Sequence, residues 1–268
     1  MTASTKEYQA RAEALSLRYG LSVCQPQELA GGPFLLLTPR RLELHVGDVG
    51  MSGPIYADFT ARNFQRRLRG LLREREPIPL LARAVGVTKR GVRTVLDVTA
   101  GLAQDAFVLA SLGCQVHLVE RSPIVFALLE DALLRAAEDE VTAEVVGRMK
   151  LTFDEASRVI SHLDTRPDVI YLDPMYPLTK KSARKNKAMH AFRALVGDDE
   201  DTSTLLLPAR KAATFRVVVK RARRAPYLAG VEPSGMLHGK TTRFDLYAPI
   251  SVGVDLEKTS PTSFQAFS

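Results

Sequence analysis

The sequence predicts an α/β fold, a mainly parallel sheet with helices on both faces, preceded by a small β-rich extension. Three observations carry that expectation. From Thr94 onward, apolar runs of four to six residues alternate with helical stretches, as they do where each strand is buried on both faces and a crossover helix leads to the next. Residues 95–105 read as strand, tight turn and helix start, and an acid, Glu120, closes the next strand nineteen residues after Gly101. The 268 residues, 46% of them apolar, are enough to bury a sizeable core.

The elements follow in chain order. Residues 20–60 hold two short apolar runs, Phe34-Leu35-Leu36-Leu37 and Leu42-Glu43-Leu44-His45-Val46, the second alternating as a half-buried strand does. Gly31-Gly32-Pro33 and Pro39 punctuate them, so a β-rich entry module is expected. Residues 62–75 place Phe64, Leu68, Leu71 and Leu72 on one side and arginines elsewhere, a helix facing either RNA or solvent. Strands are expected at 94–98, 115–119, 149–153, 169–172 and 215–220, with a last one at 243–248. Gln104 opens a helix that stops at Gly113, and Ser122-Pro123 supplies an N-cap and a first-turn proline for a long amphipathic helix. The chain thus divides into an extension with a basic helix at 1–80, a main domain at 81–250 and a frayed tail at 251–268.

Composition narrows the function classes. A 25% charged fraction with 17 glycines and 15 prolines excludes wholesale disorder and fibrous repeats. The two cysteines, Cys24 and Cys114, make no disulfide framework and suit a reducing compartment, so the cytoplasm is expected. No stretch approaches the roughly 20 apolar residues that cross a bilayer. The formal charge of +7 is unevenly placed. Residues 61–93 hold ten Lys and Arg against two acids and residues 178–224 hold thirteen against four, which leaves the rest of the chain acidic. That asymmetry favours a polyanionic partner over a merely solvated face. His162, His190 and His238 are scattered and form no ligand cluster, so no metal is expected, and no nucleophile-elbow glycine pattern supports a hydrolase.

Two motifs carry chemistry. In the turn after the first main strand, Gly101 lets backbone approach a ligand closely, and Glu120 can accept hydrogen bonds from both hydroxyls of a ribose. A dinucleotide pyrophosphate wants three turn glycines, whereas this turn has Gly101 flanked by Asp97 and Asp105, which would repel phosphate. A nicotinamide oxidoreductase is therefore disfavoured. The acids suit a cationic cofactor such as S-adenosyl-L-methionine, which carries a sulfonium and an ammonium and no phosphate. The second motif is Val169-Ile170-Tyr171-Leu172-Asp173-Pro174-Met175-Tyr176-Pro177, an apolar strand delivering an acid, a rigid proline and an aromatic ring at the sheet edge where ligands bind. An exocyclic amine on a base is a poor nucleophile. Asp173 and the Pro174 carbonyl can accept its hydrogens while Tyr176 stacks on the ring.

These residues are similar to a known family. Asp97-Val-Thr-Ala-Gly-Leu-x-x-Asp105-Ala-Phe-Val-Leu-Ala-Ser-x-Gly-Cys114, Val119-Glu120-Arg121-Ser-Pro and Tyr171-Leu-Asp-Pro-Met-Tyr-Pro177 resemble the ribosomal RNA small subunit methyltransferase J family. The resemblance extends over residues 82–248, through Leu207-Pro-Ala-Arg210, Arg216-Val-Val-Val-Lys-Arg221 and Arg243-Phe-Asp-x-Tyr247. It implies a class I (Rossmann-like) S-adenosylmethionine-dependent methyltransferase fold and methylation of guanosine N2 in 16S rRNA. By the same resemblance Gln104 and Asp105 lie at the cofactor's methionine end, Glu120 and Arg121 at its ribose and adenine, Glu155 and Ala156 on the adenine side, and Asp173 between cofactor and base. The chain departs from the family pattern at Gln104, where an arginine is expected, at Glu155-Ala156, where two serines are expected, and in the glycine-poor stretch 64–79.

The RNA-contacting candidates are Arg66 and Arg67 in the first basic stretch, Lys180, Lys181, Arg184 and Lys185 just after the Asp173 turn, and Lys220 and Arg221. The expected partner is small-subunit ribosomal RNA or the 30S particle. Two other readings stand beside this one: an amino methyltransferase acting on adenine N6 of another nucleic acid, and a non-catalytic RNA-binding or ribosome-assembly protein on the same fold.

Overall fold

The computed structural model describes residues 1–24, 32–46, 53–61, 78–87, 91, 93–174 and 202–250. The N-terminal module contains β1 (Thr2–Ala3), α1 (Gln9–Tyr19), β2 (Phe34–Leu37) and β3 (Leu42–His45). Its sheet runs β1-β2-β3, with β1 parallel to β2 and β2 antiparallel to β3. The alternation in the sequence is obeyed: Leu35, Leu37, Leu42 and Leu44 are buried, and the residues between them are partly exposed. Helix α1 is an addition to the β-rich module expected there. Its buried stripe is Ala12, Ser16 and Tyr19, while Leu17 is 86% exposed, so hydrophobic periodicity has little to detect.

After α2 (Leu80–Val85) the main unit alternates β4 (Thr94–Asp97), α3 (Gln104–Ser111), β5 (Gln115–Glu120), α4 (Pro123–Ala137), α5 (Ala143–Val146), β6 (Met149–Phe153), α6 (Ala156–Ser161) and β7 (Val169–Leu172). It continues through α7 (Thr202–Ala212), β8 (Arg216–Ala222), β9 (Gly235–His238) and β10 (Thr242–Tyr247). The strands join in the order β6-β5-β4-β7-β8-β10-β9, parallel from β6 to β8 and antiparallel for β10 against both neighbours. This is the parallel-rich α/β architecture of the class I methyltransferase fold. Strand β9 was not among the expected strands, and it places β10 inside the sheet. It is a glycine-containing edge strand whose side chains are exposed or partly exposed, so it lacks an apolar signature.

Period-two alternation divides the core. Val169 and Tyr171 of β7 and Val218 of β8 face one layer with Phe107, Val108 and Leu109 of α3. Ile170, Leu172, Val217 and Val219 face the other with Leu205, Leu206 and Ala209 of α7. Each fully buried aliphatic here is worth about 1.5–3 kcal/mol, which is why these strands read as unbroken apolar runs.

Helix α4 joins the two parts of the molecule. Ser122 caps it, its hydroxyl accepting from the Val125 N–H at 3.4 Å, with Pro123 in the first turn as expected. Leu129, Ala132 and Ala136 face the main core, while Val125, Phe126 and Leu128 pack on the leucines of β2 and β3. Polar ties reinforce the seam. The Leu42 N–H donates to Asp131 at 3.1 Å, and Arg135 donates to the Ala57 carbonyl at 2.7 Å and pairs with Asp58 at 3.3 Å. The basic helix expected at 62–75 and the tail at 251–268 lie outside the described residues.

On β10, Arg243 grips Asp245 with two bonds, Nε to Oδ1 at 2.7 Å and Nη2 to Oδ2 at 3.0 Å, and Asp245 is 0% exposed. Removing one partner leaves a buried charge without compensation. Arg243→Met is expected to cost about 3–5 kcal/mol in urea unfolding. The double change Arg243→Met with Asp245→Leu should recover most of that loss; equal loss in single and double variants would refute a charge-stranding mechanism.

Candidate functional site

The chain leaves β4, builds β5 and β6 on one side, then returns to place β7 on β4's other side, so the carboxyl ends of β4 and β7 flank a crevice. Residues 97–105 shape its floor. The Thr99 N–H donates to Asp97 Oδ1 at 3.0 Å, and the turn then takes left-handed backbone twice, at Gly101 (φ 53°) and Ala103 (φ 53°). Glu120 ties this turn to the tip of β5: Oε2 accepts from the Gly101 N–H at 3.1 Å and Oε1 from the Ser122 N–H at 2.8 Å. No side chain caps α3 at Ala103, in contrast to α4, so the first-turn amides of α3 are left for solvent or a ligand at the cleft.

A second group of side chains spans the crevice. Lys220, the residue of β8 just past its pairing with β7, donates from Nζ to Asp105 Oδ2 at 2.7 Å and to Asp173 Oδ2 at 2.8 Å. The Tyr171 hydroxyl donates to the same Asp105 oxygen at 2.7 Å, and the Asp173 N–H donates to Thr99 Oγ1 at 2.7 Å. Burial, reinforced by Asp173 and Asp105, pushes the Asp97 carboxyl up to about 7 against the Thr99 N–H that favours its charge. Burial and the same two acids hold the Tyr171 phenol well above its ordinary value. Burial pulls the Lys220 ammonium down, but Asp173 and Asp105 outweigh it, so the net shift is upward.

The cleft encloses about 340 Å³. Asp97, Gly101, Gln104, Asp105, Glu120, Arg121, Glu155, Ala156 and Asp173, which the sequence reading named for the cofactor, all line it. Arg121 reaches Glu155 at 3.9 Å along one wall. Pro174 follows Asp173 and is buried. Of the residues named for RNA, Lys220 lines the cleft and bridges two carboxylates, and Arg221 is buried with its guanidinium donating to the Pro226 carbonyl at 3.0 Å. Tyr176, Arg66, Arg67, Lys180, Lys181, Arg184 and Lys185 lie outside the described residues.

The sequence reading did not name Thr99, the Tyr171 hydroxyl or the wall formed by Thr202, Thr204 and Leu205. Lys220 was named for RNA, and the signal that could have assigned it to the cleft is a lone charge directly after the buried run Val217 to Val219. Nothing in the sequence announces the α7 wall. Among the described residues no group of three or more His, Cys, Asp and Glu could hold a metal ion, and no helix is long and apolar enough to cross a membrane.

Comparison with known proteins adds identity to this geometry. The family model described as "Putative SAM-dependent methyltransferase" matches residues 15–249. The chain is 47% identical to the ribosomal RNA small subunit methyltransferase J of Thioalkalivibrio sulfidiphilus, over 91% of this chain and 95% of that protein. It is 44% identical to the protein of the same name from Yersinia enterocolitica, over 88% and 91% respectively. The crystal structure of a SAM-dependent methyltransferase from Neisseria gonorrhoeae superposes with a TM-score of 0.73 at 35% identity, over 96% of this chain and 98% of that one.

The raised Asp97 value has a measurable consequence. A carboxyl that ionises near pH 7 when folded and near 3.9 when unfolded contributes stability that is complete below pH 4 and is lost as pH rises through 7. Asp97→Asn is expected to flatten the stability profile between pH 4 and 7 and to make the ligand-free protein more stable than wild type at pH 8, by as much as a few kcal/mol. Thermal melts across pH test it; identical slopes for the two proteins would refute it.

Proposed function

The chain belongs to the ribosomal RNA small subunit methyltransferase J family, and on that premise we propose that it transfers a methyl group to the exocyclic N2 of a guanosine in 16S ribosomal RNA. It is a SAM-dependent rRNA methyltransferase. The observation that carries the finer reading is the delivery of Asp173, with Pro174 directly after it in the chain, from the end of β7 to the cleft lined by the cofactor-side residues.

The residues present fit S-adenosyl-L-methionine. The cleft wall is rich in carboxylates, with Asp97, Asp105 and Asp173 on its floor, which suits a cation and opposes a pyrophosphate. Glu120 accepts one N–H on each oxygen and retains lone pairs for ribose hydroxyls, with Arg121 beside it; the uncapped amides of α3, beginning at Gln104 and Asp105, suit a carboxylate. Glu155 and Ala156 border the adenine side in place of the family's serines, and Glu155 is engaged by Arg121. When bound, the cofactor supplies an activated methyl on a sulfonium.

The chain's own work is then alignment. Asp173 and the Pro174 carbonyl accept the hydrogens of the base amine, which restores electron density to its nitrogen, and Tyr176 stacks on the base. The methyl–sulfur bond would break as the carbon–nitrogen bond forms, its electron pair staying on sulfur as a neutral thioether, and Asp173 and solvent take the proton that the amine loses. The basic stretches around Arg66, Arg67, Lys180, Lys181, Arg184 and Lys185 supply phosphate contacts. On this reading the protein works where ribosomes are, in the cytoplasm.

The test is transfer of labelled methyl to small subunits, and separately to naked 16S RNA, from cells lacking this protein, followed by nucleoside analysis. Label in N2-methylguanosine that falls about 100-fold or more in Asp173→Ala is the expected result. Label in N6-methyladenosine would replace guanine as the target. Bound cofactor without transfer to either substrate would favour the assembly-protein reading.

A further inference from the structure

We propose that Lys220 is the positioning residue of this site, an ammonium that locks the cofactor-side carboxylate, Asp105, to the acceptor-side carboxylate, Asp173. The inference rests on the methyl-transfer reading above and goes beyond it in assigning Lys220 to geometry instead of to RNA phosphate.

The placement carries the argument. Two of the three ammonium donors go to Asp105 at 2.7 Å and Asp173 at 2.8 Å, and the side chain is only 26% exposed. A lysine flanked by two carboxylates presents a local charge of −1, which repels a phosphate. Asp105 from α3 and Asp173 after β7 contact it, Tyr171 from β7 shares the Asp105 oxygen, Asp97 from β4 lines the same cleft, and its antiparallel partner on β10 is the apolar Phe244.

The bonds form one chain across the crevice. Tyr171 donates to Asp105, Lys220 joins Asp105 to Asp173, and the Asp173 N–H is held by Thr99 in the turn after β4. β7, α3, β8 and the β4 turn are thereby fixed to one another around the reacting centre. Without Lys220, Asp105 and Asp173 repel each other across the crevice, and Asp173 loses a contact that holds its carboxylate. Misplacement of about 1 Å at such a centre costs on the order of 100-fold in rate.

The experiment compares wild type, Lys220→Met and Lys220→Arg as full-length chains. We expect Lys220→Met to lower kcat about 100-fold with the RNA KM changed less than about 3-fold, to leave the salt dependence of RNA binding unaltered, and to move the acid limb of the kcat profile upward. Lys220→Arg, which keeps the charge, should recover about a tenth or more of the wild-type rate. A raised KM with a flattened salt slope and intact kcat would overturn the proposal in favour of a phosphate contact. Should the Met variant not fold, Lys220→Gln carries the same comparisons.

Cofactor calorimetry keeps the test separate from the choice of RNA. Loss of Lys220 should change the cofactor Kd by about fivefold or more relative to wild type, because the carboxylate on the cofactor side is no longer fixed to the one on the acceptor side. An unchanged Kd would overturn the role of Lys220. A wild-type protein that binds cofactor and methylates no RNA would overturn the substrate reading alone.

Discussion

Negative charge gathered at one edge of a hydrophobic sheet is the constraint on which the rest of this structure depends. Asp97, Asp105, Glu120 and Asp173 converge on a single cleft, and Asp97 is 2% exposed. Bringing carboxylates this close is unfavourable unless donors are fixed in place to meet them. The fold supplies those donors from its own framework: backbone N–H groups of Thr99, Gly101 and Ser122, and the ammonium of Lys220, which follows the buried run Val217 to Val219 of β8. The apolar runs of β4, β7 and β8 therefore serve the chemistry as well as stability, because burial on both faces is what holds the strand ends still.

The N-terminal module belongs to this arrangement through α4. That helix buries one side in the main core and another against the leucines of β2 and β3, so the two parts share it as a common wall. The connection reaches the site. Phe59 stacks on Phe107 of α3 with ring centroids 4.9 Å apart, and Tyr56, Asp58 and Ala61 border a cavity of about 130 Å³ together with Leu102 and Gln104. The segment that leads into the arginine-rich stretch is thus seated beside the cofactor turn.

How much of this was legible in the sequence follows from where burial lies. Strands β4, β7 and the middle of β8 were readable because their central residues are buried on both faces and apolar, whereas β5 and β6 carry His117, Lys150 and Thr152 and were placed by their alternation with helices. α4 was readable because Ser122 and Pro123 mark its start. α1 and β9 escaped because one buries alanine and serine and the other sits at an edge, so neither leaves an apolar period. In the site, residues in local strand-turn patterns, such as Asp97, Gly101, Glu120 and Asp173, were found from spacing or family likeness. Lys220 was read only as one more charge in a basic stretch, since its partners lie 115 and 47 residues away and only the sheet order brings them together.

The same separation explains how a basic protein can own an acidic site. Under the proposed function two ligands of opposite charge must meet at one point, a cation that stays in the cleft and a polyanion that must not fill it. Carboxylates on the cleft floor attract the first and repel phosphate, so that of the RNA only an uncharged base is welcome there. The cationic residues gather in the sequence stretches 61–93 and 178–224, the second of which also contributes Thr202, Thr204, Leu205 and Lys220 to the cleft itself. Lys220 and Arg221 fall within the second stretch yet are consumed by internal partners, Lys220 by two aspartates and Arg221 by a carbonyl. Net charge counted along a sequence therefore overstates the positive surface available to RNA, and a cation that ends a buried strand should be weighed first against the acids across the sheet.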